Sequence, residues 1–449
     1  MNKPSKIINS TAPGDTVSVG GSNYTVTVSG DGSSVTDTGS HNRTTLSGSD
    51  QSATVTGDWG EVISTGLNAF VVLGGMHDSA TVSGTNAFVK VSGSYADVLL
   101  ASAGAAANVS GSRNELVSTG SENAITLGTG TRNEVTLKGA FSTVNEQGSR
   151  NRIELRGEQD SASLSGSDGT VIATGDTAFI RLHGTDNAAI VCSDNSSVVD
   201  DGTDNDILLA GVGDIARLMG SDGRLEVTGD GAFINLMGTD NTAIVTGDGG
   251  TLLDFGSGNR IDLRGDNESM VAAGSDACIT STGHGNAISV SGTGNAIDAS
   301  GASISVGDGT SAALHGDHNT IAMGADATLR LTGFRNEVID ASSADDADVL
   351  ALGGRFDHDQ LWFTNYDGDL VISVLGRHRS VTVSDWFDSP DSHISTIRTG
   401  DGFSISDEGV DQLVQAMAAF SPPAHGHIYL SHALADALEP ALAANWQHS

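Results

Sequence analysis

The chain has 449 residues, of which 59 are glycine, 6 are proline and only 4% are aromatic, and its formal net charge is −35. So few aromatic residues leave little material for a thick hydrophobic core, and so acidic a surface repels phosphate backbones and anionic lipid headgroups, which argues against nucleic-acid and membrane-surface partners. A hydrophobic content of 37% is nevertheless too high for a disordered acidic segment. The composition predicts a thin folded structure whose natural counter-partners are cations.

Residues 1–15 are expected to form a short lead-in to a long repeat region. The start of the chain has no apolar stretch long enough for a cleavable secretory signal, and no apolar run reaches the roughly 18 residues of a membrane-spanning helix. The two cysteines, Cys192 and Cys278, are too few for a disulfide framework, and we interpret them as incidental thiols.

A nine-residue period dominates residues 16–342. Glycine recurs at this interval from Gly30 to Gly120, and again from Gly130 to Gly301. When this glycine is numbered as position nine, positions five and seven are mostly aliphatic, as in Ile153 and Leu155. This alternation predicts a short strand with one buried face. Positions three and nine carry residues that tolerate positive φ angles, so we expect them to form the tight turn.

A second period shows how the units stack. If every second nine-residue unit is taken, most of these units have asparagine at position three. Two successive units therefore form one coil of 18 residues with two unlike turns. The sequence therefore predicts an all-β fold, a parallel β-solenoid of 18-residue coils built from nine-residue units, with aliphatic side chains from two sheets in a narrow core. The asparagines are expected to hydrogen-bond along a ladder; they are Asn133, Asn151, Asn187, Asn205, Asn241, Asn259 and Asn295.

Position two of the same units carries a column of aspartates. Stacked about 5 Å apart, their carboxylates repel one another unless cations or nearby donors offset the repulsion. Two interpretations stay open: a column of weak calcium sites, or solvated turn carboxylates that keep the protein soluble. A shorter row on the opposite turn, Asp230, Asp248 and Asp266, allows the same two interpretations. The members of the longer column are Asp168, Asp186, Asp204, Asp222, Asp240 and Asp276.

Large apolar residues recur at position four, in a row whose members are Phe70, Phe88, Phe179, Ile215 and Phe233. Such a row is either an exposed strip for a partner or a set of side chains buried at a corner, and we expect the corner.

Catalytic motifs are missing from the sequence. Arg132 and Arg150 lie beside the acidic column, but no Lys, Tyr or His joins them in register, and there is no G-x-S-x-G, H-E-x-x-H or P-loop motif. We therefore expect a protein that is not an enzyme. Two alternatives remain: a carbohydrate-active solenoid enzyme, a lyase or an epimerase, by fold analogy, and an ice-binding solenoid, for which threonine rows begin but soon break.

The nonapeptides resemble the RTX calcium-binding β-roll, whose units read G-G-x-G-x-D-x-U-x. The nearest local match is G-T-D-N-D-I-L-L-A-G from Gly202. This chain departs from the pattern because aliphatic residues at position five occupy the place of the calcium-ligating aspartate. The resemblance implies a divergent RTX-like solenoid that has lost the usual calcium ligand.

Composition changes in residues 343–405, which are predicted to form a small β region. Leu361–Tyr366 and Leu370–Leu375 flank Asp367-Gly368-Asp369, which predicts a β-hairpin. The motifs D-Q-L-W-F, D-G-D-L-V-I and V-T-V-S-D-W-F resemble the haemolysin-type calcium-binding protein related domain, which commonly closes RTX proteins. The resemblance implies calcium binding in one of two places, near Asp345, Asp346 and Asp348 or along the aspartate column.

Residues 406–449 are predicted to be a helical tail. Ser406 can cap a helix with an apolar stripe from Val410 to Phe420, ended by Pro422, and a second amphipathic stretch is interrupted at Pro440. The motifs V-D-Q-L-V-Q-A-M-A-A-F and L-A-A-N-W-Q are similar to the extreme C-terminus of very large RTX proteins. This resemblance implies an uncleaved type I secretion signal, although the helices could equally cap the open end of the solenoid.

The resemblance of the tail thus implies a protein secreted from a Gram-negative bacterium through a type I secretion apparatus, which agrees with the missing N-terminal signal and the near absence of cysteine. It is expected to act outside the cell or at the cell surface, as a structural or adhesive element with an unidentified surface or matrix partner.

Overall fold

The structure, a computed structural model, describes residues 6–340, 342, 346–354, 356–424 and 426–448. The chain divides into two compact units, Met1–Gly229 and Asp230–Ser449, here called the N-terminal unit and the C-terminal unit. In each unit the strands up to Val349–Leu352 alternate along the chain between two sheets and pair parallel within each sheet, so the predicted parallel β-solenoid is confirmed.

The N-terminal unit consists of strands of four or five residues. Its first sheet begins upstream of residue 16 and contains Lys6–Ser10, Tyr24–Val28, Arg43–Leu46, Glu61–Ser64, Ser79–Val82, Asp97–Leu100, Glu115–Ser118, Glu134–Leu137, Arg152–Leu155, Thr170–Ala173, Ala188–Val191, Asp206–Leu209 and Arg224–Val227. Its second sheet contains Thr16–Val19, Ser34–Asp37, Ser52–Val55, Phe70–Leu73, Phe88–Val91, Ala106–Val109, Ala124–Leu127, Thr143–Glu146, Ser161–Leu164, Phe179–Leu182, Ser197–Asp200 and Ile215–Leu218.

Strand register confirms the 18-residue coil. Val35 lies opposite Ala53, and Ile153 lies opposite Val171, in each case one coil along the chain. Side chains at positions five and seven point into the core, where Ile153 and Leu155 are fully buried. Positions four and six therefore point outward, because successive side chains of a strand alternate between its faces.

The turn differs from the prediction. Positive φ angles occur at position two, as in Arg150 with φ 57° and Asp168 with φ 57°, and not at positions three and nine, except at Gly301, the last glycine of the series, with φ 69°. Glycine is needed at position nine for a different reason, the close approach of successive coils: a Cβ on Gly84 would lie 1.7 Å from the carbonyl oxygen of Gly66. Position three instead points its side chain inward.

The predicted asparagine ladder is confirmed. The backbone N–H of Asn133 donates to Oδ1 of Asn151 at 2.8 Å, and that of Asn187 donates to Oδ1 of Asn205 at 2.8 Å. Each amide also donates to a backbone carbonyl, as Asn151 Nδ2 does to Gly130 O at 3.2 Å. These asparagine amides thus find hydrogen-bond partners within the protein, as buried polar groups usually do.

The C-terminal unit continues the same pattern. Its first sheet contains Thr242–Val245, Arg260–Leu263, Cys278–Ser281, Asn295–Ala299, Ser311–His315, Thr328–Thr332, Val349–Leu352, Thr396–Thr399, Phe403–Ser406 and Gln447–His448. Its second sheet contains Phe233–Leu236, Thr251–Asp254, Ser269–Ala272, Ala287–Val290, Ser303–Val306, Thr320–Met323, Asn336–Asp340, Leu361–Tyr366, Asp369–Val374 and Ser380–Val383. Two short 3-10 helices, His358–Gln360 and Pro390–Ser392, interrupt its loops.

The predicted hairpin is confirmed and is joined to the solenoid. Leu361–Tyr366 pairs antiparallel with Asp369–Val374, and both Asp367 and Gly368 have positive φ angles in the turn. Asp369–Val374 pairs with Ser380–Val383, which adds parallel to the last regular strand of the second sheet.

Two helices follow, α1 (Asp407–Met417) and α2 (His432–Asn445). The predicted cap is present, since Ser406 Oγ accepts a hydrogen bond from the backbone N–H of Gly409. The apolar stripe of α1 ends at Met417, and Phe420, which was expected to belong to it, is 41% exposed. The expected interruption at Pro440 is wrong, because α2 runs through it. A proline removes one intrahelical hydrogen bond, and here the remaining bonds carry the helix past it.

Within the part of the chain that the structure describes, no helix has both the length and the apolar character needed to cross a bilayer.

Candidate functional site

A regular column of outward side chains lies at position two of one turn of the N-terminal unit. It is here called the turn column. Strand pairing places its members in register, one coil apart. From the N-terminal end its members are His41, Trp59, His77, Tyr95, Arg113, Arg132, Arg150, Asp168, Asp186, Asp204 and Asp222.

The first part of the turn column is an aromatic ladder. The ring of Trp59 stacks between His41 and His77, with centroids 6.0 and 4.3 Å away, and His77 stacks on Tyr95 at 4.9 Å. Trp59 is 53% exposed. The ladder was missed in the sequence, and the expectation that no Lys, Tyr or His joins Arg132 and Arg150 in register is wrong. His41, His77 and Tyr95 share position two and the coil spacing of these arginines.

The middle of the turn column is cationic. The guanidinium of Arg113 lies 5.4 Å from the ring centroid of Tyr95, so it covers the end of the aromatic ladder in a cation–π contact. Further along, Arg150 Nε lies 3.9 Å from Asp168 Oδ2, where the acidic part begins. Both partners are exposed, so this ion pair adds little stability.

The acidic part contains four of the predicted site residues, Asp168, Asp186, Asp204 and Asp222, all of them exposed. Their φ angles lie between 54° and 60°. Aspartate is one of the few residues with a side chain that adopt this left-handed conformation readily. The turn geometry therefore gives a reason for aspartate here that does not involve a metal.

The other two predicted site residues lie in the C-terminal unit. Asp240 and Asp276 are exposed and have φ angles of 57° and 59°, and Gly258 stands at the equivalent position between them. Among the described residues, no group of three or more His, Cys, Asp or Glu side chains is arranged to hold a metal ion.

In the shorter aspartate row, each carboxylate accepts a hydrogen bond from a backbone N–H of the next coil. Asp230 Oδ1 accepts from the N–H of Asp248 at 2.9 Å, Asp248 Oδ1 from Asp266 at 2.8 Å, and Asp266 Oδ1 from His284 at 2.7 Å. Because each carboxylate already has a donor from the next coil, its repulsion is offset without a cation.

The acidic residues near the predicted β region have a structural role where they are described. Asp348 is buried; its Oδ1 accepts from the N–H of Ala327 at 2.8 Å and its Oδ2 from Ser342 Oγ at 2.7 Å. The backbone carbonyl of Asp346 accepts from Ser395 Oγ. Asp345, the third predicted ligand, lies outside the described residues.

Buried carboxyl groups form a second set that sequence reasoning missed. Asp78, Asp160 and Asp214 occupy the inward position three, and burial raises the pKa of each to about 6, although two backbone N–H groups donate to each carboxyl. Burial also raises the pKa of four carboxyls at position seven, each bonded to the asparagine five residues later: Asp37, Glu146, Asp200 and Asp254.

The row of large apolar residues is exposed except for Phe88, which is half-buried, so the corner interpretation is wrong. Phe70, Phe179 and Phe233 are 44%, 45% and 40% exposed, and Ile215 is 44% exposed. The residue at position four begins each strand, and its side chain points away from the core, so it is not buried at a corner. Phe70 and Phe88 stack on one another with centroids 5.5 Å apart.

No family model matches the chain. The described surface columns consist of repeated rings, guanidinium groups and carboxylates at coil spacing. Such an array can make many similar contacts with a partner.

Proposed function

We propose that this protein is an RTX-like β-solenoid exported by a type I secretion system, and that it acts outside a Gram-negative cell as a structural or adhesive element without enzymatic activity. The single observation that carries the proposal is the turn column, in which ordered aromatic, cationic and acidic side chains are displayed on a scaffold that contains asparagine ladders. Exposed aromatic and arginine side chains are the groups that contribute most to macromolecular contacts.

Export is supported by the resemblance of the tail to the ends of RTX proteins. The helix α1 also packs onto the strand Leu361–Tyr366, so the same segment covers apolar surface at the end of the chain. A type I signal acts on the unfolded chain, and the capping contacts form afterwards, so the two roles are compatible.

The export proposal is tested with deletions in a Gram-negative host that carries a type I secretion apparatus. The full chain is expected in the culture medium, and a chain lacking residues 406–449 is expected to remain in the cells. A chain lacking residues 167–220, a block of similar length that covers three coils, is the matched control and is expected in the medium. Equal release of the truncated chain, or release without the apparatus, would contradict the proposal.

Weak calcium binding along the acidic part of the turn column belongs to the same proposal. The coils fold without metal because the asparagine ladders need none, and calcium then relieves repulsion among the exposed carboxylates. The expected binding is weak because each aspartate supplies few of the six to eight oxygens that calcium prefers.

A further inference from the structure

The C-terminal unit contains an open depression of about 530 Å³ that the functions above do not use. We call it the C-terminal groove. Residues that line it and carry the argument are Asp298, His315, Asp317, Phe334, Arg335 and Arg379.

The groove runs across successive coils. Its floor is formed where Asn295–Ala299, Ser311–His315, Thr328–Thr332 and Val349–Leu352 end, and these strands are neighbours in one sheet. The loop between Asp369–Val374 and Ser380–Val383 contributes Arg379. A groove of this size and elongation suits a chain-like ligand rather than a single ion.

The guanidinium groups of Arg335 and Arg379 belong to the lining of this groove. Arg335 Nη1 lies 3.5 Å from His318 Nε2, and Arg379 lies over the ring of Phe334 at 4.8 Å from its centroid. Among the described residues, neither takes part in an ion pair, whereas Arg152 and Arg264 are paired with neighbouring carboxylates. In a chain of net charge −35, unpaired arginines in one depression mark a place suited to an anion.

The other groups restrict the kind of anion. Asp298 and Asp317 lie in the same groove, and their carboxylates repel a densely charged ligand such as a polyphosphate or a nucleic acid. Hydroxyl groups of a ligand can hydrogen-bond to the carboxylates of these aspartates, to the Thr332 side chain and to the glycine backbone of the floor. A ligand with widely spaced carboxylates and many hydroxyl groups satisfies both sets.

We propose that the C-terminal groove binds an oligosaccharide segment of uronic acid residues, with the sugar carboxylates on Arg335 and Arg379 and the sugar hydroxyls on the aspartates. The inference deepens the adhesive role proposed above, on which its biological meaning rests. Binding is measured on the purified chain, so a failure of export can be distinguished from a failure of binding.

The test is calorimetric titration of the full chain with a purified oligouronate, and with a neutral glucose oligomer and an oligoglutamate peptide of matched length. The oligouronate is expected to bind at least tenfold more tightly than either of the others, and its binding is expected to weaken as salt rises. Combined Arg335→Asn and Arg379→Gln substitutions are expected to weaken binding about tenfold or more, because two charge-assisted hydrogen-bonding groups are lost.

Asparagine tolerates the φ angle of 58° at Arg335. Arg260→Gln is the matched control, since Arg260 is exposed on a strand of the same unit, does not line the groove and lies outside the turn column. This variant is expected to bind within twofold of the unaltered chain. Circular dichroism confirms that each variant is folded. Equal binding of the neutral oligomer or of oligoglutamate, or unchanged affinity in the double variant, would overturn the proposal. Cleavage of the oligouronate during titration would support binding and overturn the non-enzymatic function.

Discussion

Position two of each unit shows how a single backbone angle selects the residue. This position carries His41, Arg150, Asp168 and Gly258, which share little chemistry, and all have positive φ angles. The left-handed conformation costs a residue with a Cβ roughly 1–2 kcal/mol, and branching at Cβ adds to that cost. The residue type at this position is therefore limited by shape before it is limited by charge.

Asp204→Val is expected to destabilise the N-terminal unit by about 1–2 kcal/mol, because a β-branched residue fits poorly at a φ angle of 54°. Asp204→Gly is expected to be nearly neutral. Asp206→Val, two residues away on an exposed strand position, removes the same charge without the backbone constraint and is the control. Urea unfolding measures all three, and equal destabilisation by both valine variants would contradict the turn argument.

The buried carboxyl of Asp160 makes stability depend on pH. Its pKa in the folded protein is raised from 3.8 to about 6 by burial, so the folded state binds more protons than the unfolded state between these values. The contribution of Asp160 to the free energy of unfolding is therefore greatest below about pH 4. This contribution, at most about 3 kcal/mol, is lost as the pH rises to about 6.

Asp160→Asn is expected to flatten this dependence, because an amide does not titrate. The measurement is the free energy of unfolding at several pH values between 4 and 8, compared with Asp176→Asn at an exposed position. A slope that stays unchanged in Asp160→Asn and falls in the control would contradict the assignment.

At the scale of an element, the aromatic ladder stabilises the coils that carry it. Trp59→Ala removes the stacking contacts with His41 and His77 and is expected to destabilise the N-terminal unit by about 1–2 kcal/mol. Phe141→Ala is the matched control, because Phe141 is 54% exposed at position two of the opposite turn, has a φ angle of 59°, and stacks on no ring among the described residues. Unfolding in urea followed by circular dichroism compares the two, and an equal effect would show that stacking is not the cause.

The solenoid strands from Lys6–Ser10 to Val349–Leu352 are too short to be stable alone, since each has only four or five residues. Their stability comes from the next coil, which supplies the ladder hydrogen bonds and the second half of the core. This explains why positions three, five, seven and nine are restricted while positions four, six and eight vary.

At the scale of the whole molecule, the proposal predicts a small response to calcium. Millimolar calcium is expected to raise the melting temperature by a few degrees, since a ligand at about ten times its dissociation constant contributes about 1.4 kcal/mol. The combined asparagine substitution of Asp168, Asp186, Asp204 and Asp222 is expected to abolish the rise and to keep the fold, because asparagine tolerates the same turn. No rise in the unaltered chain would contradict calcium binding, and a requirement of calcium for folding would contradict the metal-free scaffold.

The sequence by itself determined the solenoid, the 18-residue coil, the buried positions and the hairpin, because each depends on short-range periodicity or on local turn chemistry. Tertiary structure decided the rest. Which position is left-handed depends on how successive coils contact each other, as the approach of Gly84 to Gly66 shows. The pKa of Asp160 depends on burial, and the C-terminal groove brings Asp298 together with Arg379, which is 81 positions further along the chain. A contact of that kind follows from the return of the chain in space, and no local pattern encodes it.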